Sequence, residues 1–382
     1  MLRQESSNSK YWKSVNTMES LDDYFLSRTL KLALKGEGMV SPNPMVGAVL
    51  VKEGKIISEG FHHKYGGAHA EVDAINNSSE DVAGAVMYVS LEPCSHFGKT
   101  PPCSDLIIEK KIKRVVIGSS DPNPLVAGDG IKKLREAGVL VEVSGQKRFT
   151  EFYKKFTAYI TTEFPWITIK SAITLDGNIA ETSGYSKWIT SEKSRKMVQK
   201  LRKSHDAILT TAKTVRSDNP RLTLHTNSDL SPRRIMVTSK LFFDETLRFF
   251  QNSDGKSMII TSDDNPDNSD LKNLDRAGIP VIVNPEKDEF NRPDPIEVFK
   301  KIKTAGVTSV LVEAGAEFSS SLLNKKLFDE FILFIAPKLM GRGINLFSGI
   351  NSYGLNNSMM LNLMNLKKTD KDAILYFERM TN

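Results

Sequence analysis

His69-Ala70-Glu71 and, further along, Pro93-Cys94-Ser95-His96-Phe97-Gly98-Lys99-Thr100-Pro101-Pro102-Cys103 decide how this chain is read. His69-Ala70-Glu71 opens a helical pattern, Pro93-Cys94 follows an apolar strand pattern, and Cys103 opens a second helical pattern. One imidazole and two thiolates supply three protein ligands to a tetrahedral Zn²⁺ and leave the fourth position for water. Such a metal draws the pKa of its water toward neutrality. Attack on an amidine-like ring carbon then needs a group that carries protons to the ring nitrogen and the departing amine, and Glu71 is placed to do so. Residues two apart diverge on a regular helix, so His69 and Glu71 must share its first turn. Thiolates at loop–helix junctions are favoured by the helix dipole and by the metal. Taken alone, His-x-Glu is common, two cysteines can be inert core residues, and a histidine can be a satisfied buried side chain. In this order, each at a strand-to-helix junction, the three residues point to metal binding.

Outward from these stretches, helical and strand patterns alternate. Residues 22–33 place Tyr24, Phe25, Leu30, Leu32 and Ala33 near one helical stripe, with Asp22 or Asp23 as the cap. A Pro-rich turn, Ser41-Pro42-Asn43-Pro44, leads into a strand at 45–51. Helix 70–75, strand 85–91, helix 104–111, strand 114–118, helix 131–137 and strand 140–143 follow. This is the α/β signature of a mostly parallel, helix-covered sheet. Residues 145–161 suit a connecting helix, after which strands are expected at 166–172, 207–209, 234–237, 257–260, 281–283, 309–312 and 330–335. Residues 263–275 and 284–295 are rich in Pro, Asn and Asp and are expected to be loops. The division expected is a tail over 1–20, one domain over 21–150, a connecting segment over 151–163 and a second domain over 164–382.

Composition narrows the class. With 40% hydrophobic and 26% charged residues, the chain has the balance of a globular protein, and no window is apolar enough to suggest a membrane span. The formal charge of +6 comes from scattered Lys and Arg, which reads as a solvated basic surface rather than a nucleic-acid footprint and also suits an anionic small substrate. Cys94 and Cys103 are the only cysteines, which argues against a disulfide-built secreted protein. The first twenty residues are polar, rich in Ser and Asn, and read as a disordered tail of a cytoplasmic protein. Their mild basic character leaves an organelle transit peptide as the alternative, and Met18 is an alternative start.

The metal-type residues resemble the zinc-dependent nucleobase deaminases, whose pattern is H-x-E followed by P-C-x-x-C. Here eight residues, not two, separate the cysteines, and that longer segment is similar to the insertion of the riboflavin-biosynthesis deaminase family. Further matching pieces are Ser41-Pro42-Asn43-Pro44-Met45-Val46-Gly47, His62 ahead of Gly66 and His69, and Asp121-Pro122-Asn123-Pro124. The resemblance runs over residues 22–380. It implies that Asn43, His62, Lys99, Asp121 and Asn123 hold a pyrimidine and its phosphoribosyl group. Lysine as a point charge for phosphate and Asn/Asp as partners for ring edges fit that role. Singly, each reads as a turn residue or a solvated lysine. His63 and His96 match nothing assignable and read as loop histidines.

The second half has no G-x-G-x-x-G loop, so it is no ordinary dinucleotide-binding domain. It resembles the dihydrofolate-reductase-like domain fused to this deaminase. The pieces are Lys170-Ser171-Ala172, Leu175-Asp176-Gly177, Ser186-Lys187-Trp188-Ile189-Thr190, Thr214-Val215, Asp218-Asn219-Pro220, Val312-Glu313-Ala314-Gly315 and Ala336-Pro337-Lys338-Leu339. By that resemblance Lys170, Ser186, Arg202, Leu222 and Glu313 lie toward the substrate. Ala172, Trp188, Thr214, Asp218 and Ser239 lie toward a nicotinamide cofactor. The strand–glycine–helix junction is also expected to receive the cofactor pyrophosphate, through Gly315, Ala316, Glu317, Phe318, Ser319, Ser320 and Ser321. Arg202 is expected to clamp phosphate, its bland alternative being a solvated helix arginine. Where the family commonly has a second arginine this chain has His225, with Arg221 as a neighbouring substitute.

The resemblance therefore implies a cytidine-deaminase-like α/β/α domain followed by a dihydrofolate-reductase-like α/β domain. It also implies one Zn²⁺ per chain, NADPH, a small phosphorylated pyrimidine as substrate and a homo-oligomer. Lys170 is the candidate for polarising or positioning the sugar during hydride transfer to its C1. Two other classes fit the residues less well. A nucleic-acid or free-cytidine deaminase with an unrelated appendage is disfavoured by the long cysteine spacing, by Lys99 and by the scattered charge. A purely structural zinc protein is disfavoured by Glu71, because a closed site needs a fourth ligand rather than a proton carrier.

Overall fold

Short apolar runs, several of them buried along most of their length, build a five-stranded and a nine-stranded sheet, and a further pair of strands forms a small sheet of its own. The computed structural model describes residues 21–97, 101–124, 126–224, 230–283, 286–351 and 354–380. The expected tail over 1–20, Lys99 and His225 lie outside the described residues. The chain divides into two compact units, one containing Met45–Glu151 together with residues up to Gly36, the other Glu37–Pro44 together with Phe152–Asn382.

In the first unit the elements run α1 (Leu21–Ala33), β1 (Gly47–Lys52), β2 (Lys55–Phe61), α2 (Ala70–Asn76), β3 (Val86–Leu91), α3 (Cys103–Glu109), β4 (Arg114–Ser119), α4 (Asp129–Glu136) and β5 (Leu140–Val143), followed by α5 (Lys147–Thr161). The sheet order is β2-β1-β3-β4-β5. Only β3, β4 and β5 are parallel, because β1 pairs antiparallel with both β2 and β3. The expectation of a mostly parallel sheet is therefore corrected to a mixed one. The cause is a hairpin: Glu53 and Gly54 both adopt positive φ (51° and 76°), the conformation of a tight turn whose twist matches the flanking strands. Strand β2 escaped the sequence reading because polar and apolar residues mix along it without a clear two-residue period. On one face of the sheet the core gathers Leu50, Val89 and Ile117 from β1, β3 and β4 with Ile107 of α3 and Leu134 of α4.

In the second unit the elements are β6 (Trp166–Thr174), β7 (Asn178–Glu181), α6 (Glu192–Lys203), β8 (Ala207–Thr211), α7 (Ala212–Asp218), β9 (Arg233–Thr238), β10 (Ser257–Thr261), α8 (Asn268–Arg276), β11 (Val281–Val283), α9 (Pro295–Thr304), β12 (Ser309–Val312), α10 (Ala316–Asn324), β13 (Glu330–Ala336), β14 (Gly343–Asn345), β15 (Leu361–Lys368) and β16 (Ala373–Arg379). The main sheet has nine strands in the order β11-β10-β9-β8-β12-β6-β13-β16-β15. It is parallel from β11 to β13, then antiparallel through β16 and β15. Helix α8 corrects the loop expected at 263–275. Asp267 caps it by accepting from Ser269 N at 2.6 Å, and Leu274 buries itself on its inner side, while the remaining residues are polar enough to mask the pattern. Among the described residues no helix is long and apolar enough to cross a membrane.

Candidate active sites

The first site forms where β2 and β3 deliver α2 and α3. Helix α2 lies directly against β2 because Gly60 has no side chain there: an added Cβ would stand 2.2 Å from Ala74 N and 2.5 Å from Ala70 O. His69 is the N-cap of α2, with extended backbone, which turns its ring away from the helix axis while Glu71 in the first turn stays buried. His69 Nδ1 lies 3.3 Å from Cys103 Sγ and 3.6 Å from Cys94 Sγ. All three ligand atoms fall within 4.8 Å of one another. Edges of a tetrahedron built on ordinary Zn–S and Zn–N bonds are about 3.6 Å, so the donor set fits zinc in both type and spacing.

Electrostatics agree with that geometry. Cys94 is pulled down to about 4, first by the Cys103 thiol and then, against burial, by His69 and by the Cys103 backbone N–H at 3.3 Å. Cys103 is pushed up, chiefly because it is the donor to Cys94. Burial pushes the Glu71 carboxyl up to about 7, helped by the negative Cys94 and opposed by His69. A cation on the three ligands would oppose the shift of Glu71 further.

Of the residues expected to hold the substrate here, His62 is buried with its ring edge-on to His69 at 5.4 Å. Its Nδ1–H donates to Ala68 O at 2.8 Å, and burial lowers its pKa. Asp121 accepts from Asn123 N at 2.8 Å, its carboxyl raised chiefly by burial. Asp121 borders the same small cleft as Cys94, Glu92 and His96. His96, left unassigned in the sequence, is thus beside the site, whereas His63 pairs with Asp73 at 2.9 Å on the surface. Asn43 falls in Glu37–Pro44, the segment grouped with the second unit.

The second site collects at the carboxyl ends of neighbouring parallel strands, where open α/β sheets take their ligands. Ser239 follows β9, Thr214 and Asp218 sit on the helix after β8, and Glu313 to Ser321 follow β12, while Lys170 and Ala172 belong to β6. Lys170 Nζ lies 5.6 Å from the Phe334 ring centroid. Burial lowers its pKa, which Glu313 opposes and Arg202 reinforces. Arg202 grips Glu313 with both arms, Nε to Oε1 at 2.7 Å and Nη2 to Oε2 at 2.9 Å, and Nη1 donates to Thr223 O at 3.3 Å. Burial works against the Glu313 anion, but this guanidinium holds the carboxyl below its ordinary range.

Ser186 Oγ donates to Asp218 Oδ1 at 3.2 Å, which brings an expected substrate residue onto an expected cofactor residue. Trp188 is exposed beneath the Arg195 guanidinium, 4.4 Å from its centroid, and its carbonyl accepts from Lys338 Nζ at 2.8 Å. Gly315 is the N-cap of α10 with extended backbone, and a Cβ added there would meet nothing within 4 Å. Ser319 and Ser320 turn inward, to Ala314 O and Leu346 O, and Ser321 is half-buried. Leu222 has its side chain in the core and a left-handed backbone (φ 55°), leaving its main chain as its polar surface.

A His/Cys/Cys cluster beside a buried glutamate defines a zinc-dependent deaminase, and the strand-end cluster defines a reductase joined to it. Residues 19–119 match the cytidine and deoxycytidylate deaminase zinc-binding region, and residues 165–375 match the RibD C-terminal domain. RibD of Aquifex aeolicus is 38% identical over 365 residues, covering 95% of this chain and 99% of that protein. RibD of Escherichia coli is 37% identical over 348 residues, covering 86% and 92%. Among solved structures, Acinetobacter baumannii RibD superposes with a TM-score of 0.84 at 31% identity, over 94% of this chain and 99% of that one. A deaminase/reductase from Thermotoga maritima gives 0.83 at 34% identity with the same coverage. The chain belongs to the RibD family, the bifunctional deaminase–reductases of riboflavin biosynthesis, with a cytidine-deaminase-like first domain and a dihydrofolate-reductase-like second one. Its deaminase domain is of the zinc-binding type, and its reductase domain implies a nicotinamide cofactor.

Proposed function

We propose that residues 21–150 hydrolyse the C2 amine of 2,5-diamino-6-(5-phosphoribosylamino)pyrimidin-4-one, releasing ammonia and 5-amino-6-(5-phosphoribosylamino)uracil. Residues 164–382 then reduce the ribosyl group of that uracil to ribityl with NADPH. The observation that carries the first step is His69 Nδ1 at 3.3 and 3.6 Å from the two sulfurs, with Glu71 buried in the adjoining helical turn. His69, Cys94 and Cys103 would hold one Zn²⁺ per chain, and the chemistry it would supply is an activated water. Glu71, buried in the first turn of α2 beside the three ligands, would carry protons to the ring nitrogen and the leaving amine. His62, Asp121 and Asn123 bind the pyrimidine, with Lys99 toward the phosphate.

In the second step NADPH supplies the hydride. Trp188, Thr214, Asp218, Ser239 and the start of α10 hold the cofactor. Lys170 positions the open-chain sugar with Glu313 beside it, and Ser186 also faces the substrate. With its fork bidentate to Glu313, Arg202 offers phosphate only the N–H groups that remain. A homo-oligomer is supported by β15, which among the described residues has no strand on its outer side and exposes Leu363, Met364 and Leu366. The test is ammonia release from the aminopyrimidine phosphate, with cytidine as control, followed by NADPH oxidation in the same sample and zinc analysis. Deamination of cytidine in preference to the phosphate would refute the substrate.

A further inference from the structure

Glu92 is the residue immediately after β3, and Pro93 alone separates it from the ligand Cys94. Its side chain is buried, and among the described residues no lysine or arginine pairs with it. Backbone N–H groups take that place. Oε1 accepts from Gly130 N at 3.0 Å and Ile131 N at 3.2 Å, while Oε2 accepts from Asp121 N and Gly128 N, both at 3.1 Å. Three of these donors belong to the cap and first turn of α4, whose own N-cap, Gly128, has no side chain to offer. The fourth is the main chain of Asp121, whose carboxylate in turn accepts from Asn123 N at 2.8 Å.

The fit is close. A Cβ on Gly130 would stand 2.0 Å from Pro93 O and 3.2 Å from Glu92 Oε1, so α4 rests on the peptide just ahead of the ligand. Cys94 is also held from the other side, its carbonyl accepting from Ser104 N at 3.1 Å. Capping α4 would occupy the acceptors on three of the four bonds. The bond to Asp121 N does something else: it ties the segment carrying a metal ligand to the segment carrying two pyrimidine contacts.

We propose that Glu92 is a positioning residue of the deaminase site, whose carboxylate fixes the spacing between the Cys94 segment and Asp121-Pro122-Asn123. This rests on the reading that Asp121 and Asn123 contact the pyrimidine. Glu92 touches neither substrate nor metal and acts through its backbone partners.

The test compares the full-length zinc-loaded parent with Glu92→Gln, which replaces one acceptor oxygen by a donor facing two N–H groups. Deaminase KM and kcat, zinc content, and calorimetric affinity for the aminouracil phosphate product are measured together. A rise in KM and a loss of product affinity of about tenfold or more are expected, the scale of an unmade charge-assisted bond, with zinc content and kcat near the parent's. In an Asn123→Ala background the Glu92→Gln effect on KM should largely disappear, because both act on one segment. Equal KM and product affinity in folded, zinc-loaded Glu92→Gln, or full additivity with Asn123→Ala, would overturn the proposal and leave Glu92 a helix cap.

Gly128→Ala serves if Glu92→Gln does not fold. Its added Cβ meets no atom within 4 Å, but its backbone (φ 85°) is strained by a side chain, which disturbs the same Oε2 contact more gently. About a threefold rise in KM is expected, and an unchanged KM overturns the proposal. A parent that releases no ammonia refutes the function instead, since product affinity still reads Glu92 independently of turnover.

Discussion

Removing the Arg202 side chain separates two roles that sequence resemblance runs together, phosphate clamp and partner of Glu313. The pair is mostly buried, with side-chain exposures of 13% and 14%, and doubly hydrogen-bonded at 2.7 and 2.9 Å. Breaking a buried pair by deleting one partner costs about 3–5 kcal/mol, because the other charge is left uncompensated. Lys170 remains beside Glu313 as a second cation and Glu313 can take up a proton, so the lower end, about 3 kcal/mol, is the better figure for Arg202→Ala. For a domain of this size that is a fall of roughly 6–12 °C in the unfolding temperature. The pH dependence has a definite sign. Glu313 has a depressed folded pKa, so its contribution is fully present above the ordinary carboxylate range and is lost as pH falls through the lowered folded value. In Arg202→Ala that acid loss should flatten. Scanning calorimetry against pH, with zinc-dependent deamination as an internal control for folding of the other unit, reads both effects. An Arg202→Ala protein that melts with the parent and shows only a raised KM for the phosphorylated substrate would refute the argument and restore the phosphate clamp.

Three further outcomes are expected. Glu71→Gln should retain zinc yet lose deamination by at least ~10²-fold, the lower range for a lost proton carrier; turnover near the parent's in a zinc-loaded sample would remove it from that role. Cys94→Ser should lower zinc occupancy in elemental analysis, since a hydroxyl is a poorer ligand than a thiolate, and full occupancy would take Cys94 out of the metal site. Changes at His69 or Glu71 should leave NADPH-dependent reduction of pre-deaminated substrate intact, and loss of both activities in a folded protein would point to a single shared centre.

What the sequence disclosed depended on how rare the relevant residue types are. With two cysteines in the chain, Cys94, Cys103 and His69 stood out, and the structure brings all three within 4.8 Å. Strands of continuous apolar character, such as β4, β10 and β12, were legible because both faces are covered and nothing interrupts them. Strands β15 and β16 were not, since the first is exposed along most of its length and the second is only half-buried. Helix α8 hid behind its own polarity, with one fully buried leucine to betray it. The Arg202–Glu313 pair joins residues 111 apart, a distance that no local pattern spans. Glu92 was invisible for a different reason: its partners are peptide N–H groups, which every residue except proline possesses.

Helix α5 is a single continuous element, yet the division between the two units falls inside it, between Glu151 and Phe152. On the near side Phe149 packs over Gly118, where any Cβ would collide with its ring at 2.3 Å. On the far side Lys155 is half-buried in the second unit, donating to Ser204 O at 2.8 Å beside His205. A cut at the division itself leaves each of these side chains with its own module but splits the helix in two. A break ahead of the helix takes the aromatic plug from the deaminase, and a break after it takes the lysine from the reductase. Gene fission, domain shuffling or laboratory dissection of this protein has one clean solution, which is to give each half its own copy of the helix.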